Sequence, residues 1–146
     1  MKSTTHNSVI ELYYFDSNVF ILPALYDGDR SREASDWLRK MVEGEIEVAT
    51  SALTLDEVTW IISREASREE ALNEAERILE LPHLKILDVK SEDTVRMINY
   101  QRRYEGLKPR DAVHLSVGVR NGIHTIVSDD DDFDGLKEIE WVGLDG

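Results

Sequence analysis

The sequence predicts an α/β fold, a mostly parallel central sheet covered by helices on both faces. Three observations carry this reading. Short runs of β-branched, aromatic or alternating apolar residues are interleaved with longer stretches whose apolar residues recur at helical spacing. Proline, glycine and Asn-Gly fall between them as punctuation. The 146 residues, 41% hydrophobic and free of cysteine, are enough to bury a core without disulfides or structural metal.

Ile10 to Phe15 reads as the first strand, and a helix is expected to start near Asn18, because Asp16, Ser17 and Asn18 all cap well. Ser31 to Val42 has helical spacing, and Glu45 to Ala49 follows as the second strand. Leu53 to Arg64 and Ser67 to Leu79 are the next two helices, the latter closed by Pro82. Leu84 to Val89 is the third strand, and Glu92 to Tyr104 is a helix stopped by Gly106. Pro109 suits a first helical turn, so a helix runs from Pro109 to Arg120 and is capped by Asn121-Gly122. Ile123 to Val127 and Ile139 to Val142 complete the strands. Sheets of this kind place functional groups beyond the carboxyl ends of their strands. With no repeats or low-complexity linkers, the organisation expected is a polar N-terminal extension over residues 1–9 and a single domain over 10–146.

Composition excludes several classes. Zero cysteine removes disulfide frameworks, thiolate zinc sites, iron–sulfur clusters and cysteine nucleophiles. No Gly-x-Gly occurs, which removes Walker-type and dinucleotide loops. The longest apolar run, Val19 to Leu25, falls short of the roughly 18 residues of a membrane span, and Met1 to Ser8 has no signal-peptide core. A cytoplasmic protein without a membrane segment is expected. The net charge of −13 argues against a simple electrostatic nucleic-acid binder.

Acidic residues gather at one predicted edge of the sheet. Asp16 follows the first strand, and Asp129-Asp130-Asp131-Asp132 follows the strand ending at Val127. Asp111 lies in the first turn of its helix, where the helix dipole alone would favour a carboxylate. Glu57 sits beside the apolar stripe Leu55, Val58 and Ile62, while Asp56 is expected to face solvent. Two carboxylates about 4 Å apart repel by roughly 4 kcal/mol at an effective dielectric near 20, so a converging cluster calls for a cation or for protonation. All-oxygen donors suit Mg²⁺ or Mn²⁺ and disfavour zinc.

Tyr14-Phe15-Asp16-Ser17-Asn18-Val19-Phe20 and Leu53-Thr54-Leu55-Asp56-Glu57-Val58 resemble the opening motifs of the PIN-domain ribonuclease family. Lys108-Pro109-Arg110-Asp111-Ala112-Val113-His114-Leu115, with Val127 to Phe133, resembles its last two. The size of the chain resembles in particular the VapC-like toxins of type II toxin–antitoxin pairs. The resemblance implies a PIN-like three-layer sandwich and a Mg²⁺-dependent endoribonuclease, with Mn²⁺ as a substitute. Asp16, Glu57, Asp111 and Asp130 match the catalytic positions; Asp16, Asp111 and Asp130 would hold the ion, and Glu57 would orient or deprotonate the attacking water. Asp132, Ser128 and Asn18 are additional candidates: Ser128 takes a position where the family has Thr or Ser, and the run of four Asp departs from the usual pattern and leaves a one-residue ambiguity. His114, three residues after Asp111, is expected to be a packed or hydrogen-bonded structural residue.

RNA must then reach an acidic protein. Arg96, Arg102, Arg103, Lys108 and Arg110 stand against only Glu105 between residues 96 and 110, which makes Arg102, Arg103, Lys108 and Arg110 the candidate RNA-binding residues. Tyr100 and Tyr104 are either stacking aromatics of that track or core residues at helical spacing. The resemblance further implies a homodimer and a VapB-like antitoxin, for which Val19, Phe20, Leu22, Leu25, Tyr26 and Trp37 offer an apolar rim. The competing readings are a PIN nuclease of RNA processing without an antitoxin, and a non-catalytic PIN-like interaction module. A phosphoacceptor receiver is disfavoured because the strand Glu45 to Ala49 leads into Thr50-Ser51 with no acceptor Asp.

Overall fold

The computed structural model describes residues 10–146, and the predicted extension over 1–9 lies outside the described residues. In chain order the elements are β1 (Leu12–Phe15), α1 (Ser17–Leu25), α2 (Asp29–Val42), β2 (Glu47–Ser51), α3 (Ala52–Glu65) and α4 (Arg68–Leu79). They continue with β3 (Leu84–Leu87), α5 (Ser91–Arg103), α6 (Pro109–Arg120), β4 (Thr125–Val127), a 3₁₀ turn at Asp131–Phe133 and β5 (Glu140–Val142). The five strands form one sheet in the order β3-β2-β1-β4-β5, and every pairing is parallel.

Alternation along β1 divides the core. Phe15 packs on one face with Val19, Phe20, Trp37, Met41, Val58, Ile62 and Ile78, beneath α1 to α4. Its neighbour Tyr14 points the opposite way, as successive strand residues must, and packs with Tyr100, Leu107, Ala112, Leu115, Ile126 and Phe133 beneath α5 and α6. This is the three-layer α/β sandwich expected from the sequence.

Register positions the functional edge. Tyr14 lies beside Ala49 on one side and Ile126 on the other, so β1, β2 and β4 end at a common level. The chain winds outward from β1 to β2 and β3, then returns to place β4 and β5 on the other side. The switch point therefore falls between β1 and β4, with Asp16 after one strand and Ser128 after the other. Ligands of such sheets bind in that crevice.

Several boundaries differ from the sequence reading. β2 runs to Ser51 instead of stopping at Ala49, because its polar end is buried and Thr50 is satisfied there: its Oγ1 donates to the Phe15 carbonyl at 2.7 Å and lies 2.6 Å from Thr54 Oγ1. β1, β3, β4 and β5 are each shorter than the apolar runs that predict them. α2 starts at Asp29, two residues early, after Gly28 turns the chain at φ 114°. Asp93, fully buried, ties α5 to α6 through Arg120 at 2.8 and 2.9 Å and Ser116 at 2.8 Å.

Candidate active site

Asp16 is the best-braced carboxylate at the sheet edge. It caps α1 by accepting from the Ser17 backbone N–H at 2.8 Å, the cap that the sequence suggests. Its other oxygen accepts from Ser128 Oγ at 2.6 Å and Asn18 Nδ2 at 3.3 Å. Asn18 also donates to Ser128 Oγ at 3.1 Å and accepts from the Asp129 backbone N–H at 3.1 Å. The segments after β1 and β4 are thus laced together across the switch point by Asn18 and Ser128.

The acidic run divides by direction. Asp129 turns away to pair with Arg30 at 3.0 Å, and Asp131 is exposed. Asp130 and Asp132 turn inward toward Asp111, and one ligand atom from each of these three lies within 4.8 Å of the others. The turn is fixed locally: Ser128 Oγ accepts from the Asp130 N–H at 2.9 Å, and Asp130 Oδ1 accepts from the Asp132 N–H at 2.9 Å. Asp130 and Asp132, two residues apart, thus both approach Asp111.

A second trio, Asp16, Glu57 and His114, also brings its ligand atoms within 4.8 Å of one another. Glu57 is half-buried on α3, while Asp56 faces solvent as expected. His114 is fully buried, one helical turn after Asp111, with Nε2 2.6 Å from Glu57 Oε1 and 3.6 Å from Asp16 Oδ1. It is packed and hydrogen-bonded, as the sequence suggests, and it also reaches the carboxylates. Its i, i+3 spacing from Asp111 was the available signal.

Electrostatics make the cluster costly as it stands. Asp111 is only 8% exposed, and its Oδ2 is buried with no hydrogen-bond partner. Burial, then the charges of Asp16 and Asp130, push its carboxyl up to about 7. Asp130 is likewise raised, chiefly by burial and by Asp132 and Asp16, against the pull of the Asp132 N–H. For His114 burial pulls the pKa down, but the Glu57 hydrogen bond and the Asp16, Glu57 and Asp111 charges outweigh it, so the net direction is upward. A buried carboxylate oxygen without a partner, facing other carboxylates, fits a hard divalent cation. The donors of Asp16, Asp111 and Asp130 are all oxygen, as Mg²⁺ or Mn²⁺ requires.

The cations lie around this cluster rather than within it. Lys108, mostly exposed, reaches Asp132 at 3.2 Å, and this contact raises its own pKa. Lys108 and Arg110 line one open cavity with Glu57, Asp111 and Asp130. Arg102 is exposed, whereas Arg103 is paired with Glu138. The two tyrosines resolve toward the core: Tyr100 is buried, and Tyr104 is tethered to Glu138 at 2.7 Å and to the Lys137 N–H at 3.1 Å. The apolar rim is also largely core, since Val19, Phe20 and Trp37 are buried and Tyr26 alone of that set is exposed.

The PIN-domain family model matches residues 13–139. The chain belongs to the PIN-domain family. Solved structures agree on the fold. VapBC2 from Rickettsia felis, crystallised with a fragment of its promoter DNA, aligns at TM-score 0.70 and 15% identity, covering 90% of this PIN chain and 98% of that one. VapC20 from Mycobacterium tuberculosis, described as a sarcin-ricin loop cleaving toxin, aligns at 0.66 and 20% identity over 87% and 98%. FitAcB from Neisseria gonorrhoeae aligns at 0.67 and 16% identity over 90% and 97%. No curated protein matches this PIN sequence. Among the described residues, no helix is long and apolar enough to cross a membrane.

Proposed function

We propose that this PIN protein is a divalent-cation-dependent endoribonuclease of the VapC kind. What supports the reading is that carboxylates from separate stretches of chain meet in two neighbouring groups, Asp16 with Glu57 and His114, and Asp111 with Asp130 and Asp132. The buried, unpartnered Asp111 Oδ2 supports a cation there.

Asp16, Asp111 and Asp130 would hold Mg²⁺ or Mn²⁺, which when bound lowers the pKa of an attacking water and offsets charge growing on the phosphate. Ser128 and Asn18 hold Asp16 in one orientation through the contacts at 2.6 and 3.3 Å. Glu57 orients the water and takes its proton. Lys108 and Arg110, at the mouth of the same cavity, meet the phosphates, and Arg102 with Arg103 extends that contact along α5. Asp132 keeps Lys108 beside the cluster until RNA arrives.

RNA as substrate is supported by the likeness to a toxin described as cleaving the sarcin-ricin loop. A VapB-like antitoxin partner is supported by the likeness to VapBC assemblies. The same reading makes the protein a cytoplasmic homodimer. Incubation with transfer, ribosomal and messenger RNAs tests it. The expected result is cleavage in Mg²⁺ or Mn²⁺, none in EDTA and none by Asp16→Asn, which keeps the α1 cap because Asn also caps. Equal cleavage by Asp16→Asn would overturn the assignment.

A further inference from the structure

His114 and Tyr14 are both fully buried, and neither is assigned to the cation or to the water. Each ring nitrogen of His114 has one close partner: Nδ1 lies 2.5 Å from Tyr14 Oη, and Nε2 lies 2.6 Å from Glu57 Oε1. The imidazole therefore joins β1, α6 and α3 at the level of the carboxylates. Its edge packs on the Tyr14 ring, with centroids 5.5 Å apart.

Chemistry fixes the direction of one of these bonds. An ionised carboxylate only accepts, so Nε2 carries the proton shared with Glu57. Among the described residues, His114 is the only hydrogen-bond partner of the Glu57 side chain. A glutamate has several rotatable bonds, and without that contact no other hydrogen bond among the described residues holds this largely buried carboxylate in one orientation. An apolar side chain could fill the space of the ring but could hold nothing in place.

We propose that His114, anchored from behind by Tyr14, is a positioning residue that fixes the Glu57 carboxylate within the carboxylate cluster. One glutamate oxygen is held by Nε2–H, and Oε2 is left for the reacting water. The inference rests on the nuclease reading for its purpose, but the contact it invokes is measurable without activity. The geometry matches a general pattern: outer partners that orient a working carboxylate set its performance without touching substrate.

Two measurements test it. In Mg²⁺-dependent RNA cleavage, His114→Ala is expected to lower kcat by about 10–100-fold with little change in KM, the usual range for removal of outer partners. His114→Gln, which restores an N–H donor near Nε2, is expected to recover much of the activity, and Tyr14→Phe to lose less than His114→Ala. In a Glu57→Gln background, His114→Ala should cost nothing further, since its effect passes through Glu57. Full additivity of the two effects would overturn the proposal, as would a His114→Gln variant that melts like wild type and cleaves no better than His114→Ala. Independently, NMR of ¹⁵N-histidine protein without metal or RNA should show a protected His114 Nε2–H signal that moves in Glu57→Gln. A signal unchanged by Glu57→Gln would overturn the contact itself. If wild type cleaves no RNA with any divalent metal, the nuclease reading fails, and this NMR comparison still decides whether His114 fixes Glu57.

Discussion

Replacing Asp111 with Asn tests whether burial beside other carboxylates strains the metal-free Asp111. Burial first, then Asp16 and Asp130, raise the Asp111 carboxyl from 3.8 to about 7. A carboxyl raised by folding is protonated in both states below its unfolded value, so it costs no stability there. The penalty accumulates as pH rises and is complete above the folded value of about 7. A rise of this size corresponds to about 4 kcal/mol in the limit of no screening. Asp111 opens onto a solvent-accessible cavity, and screening reduces this to about 1–2 kcal/mol. Removing the charge from the first turn of α6 works the other way by about 0.5 kcal/mol and does not cancel it. Asp111→Asn should therefore melt about 1–6 °C above wild type at pH 8 in EDTA, given about 2–4 °C per kcal/mol in a chain of this size. The gap should narrow as pH falls toward 5. Saturating Mg²⁺ should reverse the order, since a cation at 100 times its Kd stabilises wild type by about 2.7 kcal/mol and the variant by much less. An Asp111→Asn variant no more stable than wild type in EDTA at pH 8 would mean that neither burial nor the neighbouring carboxylates strain Asp111.

Other perturbations separate the scaffold from the site. Arg120→Ala leaves Asp93 buried without its charged partner and should cost about 3–5 kcal/mol in urea unfolding, with no change in the metal response. Phe133→Ala empties a fully buried position beside the inward-turning Asp130 and Asp132, and should cost about 3–5 kcal/mol in the same assay. Arg102→Glu and Arg110→Glu, measured by RNA-binding anisotropy in an Asp16→Asn background, should weaken affinity. Each should also flatten the salt dependence by about one unit of slope for every phosphate it no longer neutralises.

Much of the fold was legible because periodicity and punctuation agree. Pro109, Asn121-Gly122 and the alternation of Tyr14 with Phe15 each specify a local structure that the core then uses. The end of β2 was not legible, since Thr50 and Ser51 look like a turn until the Phe15 carbonyl and Thr54 supply partners to Thr50 across 35 and 4 residues. The buried Asp93–Arg120 pair is hidden for the same reason: its partners are 27 residues apart, and either charge alone reads as surface. At the site, residue type and strand-end position single out Asp16 and Asp111. Direction within Asp129 to Asp132 depends on the Ser128 and Asp130 hydrogen bonds, which no linear pattern encodes. His114 is the instructive case. Its spacing from Asp111 was visible, but its meeting with Glu57 depends on where α3 and α6 approach each other at the sheet edge.

Everything proposed for the site depends on carboxylates from separate segments forming one divalent-cation site. Anomalous diffraction from a Mn²⁺-soaked crystal would show whether they do. A Mn²⁺ peak is expected between Asp16, Asp111 and Asp130, and it should disappear in Asp111→Asn. Mn²⁺ found only at exposed carboxylates such as Asp131 or Asp134, with none at this cluster, would contradict it.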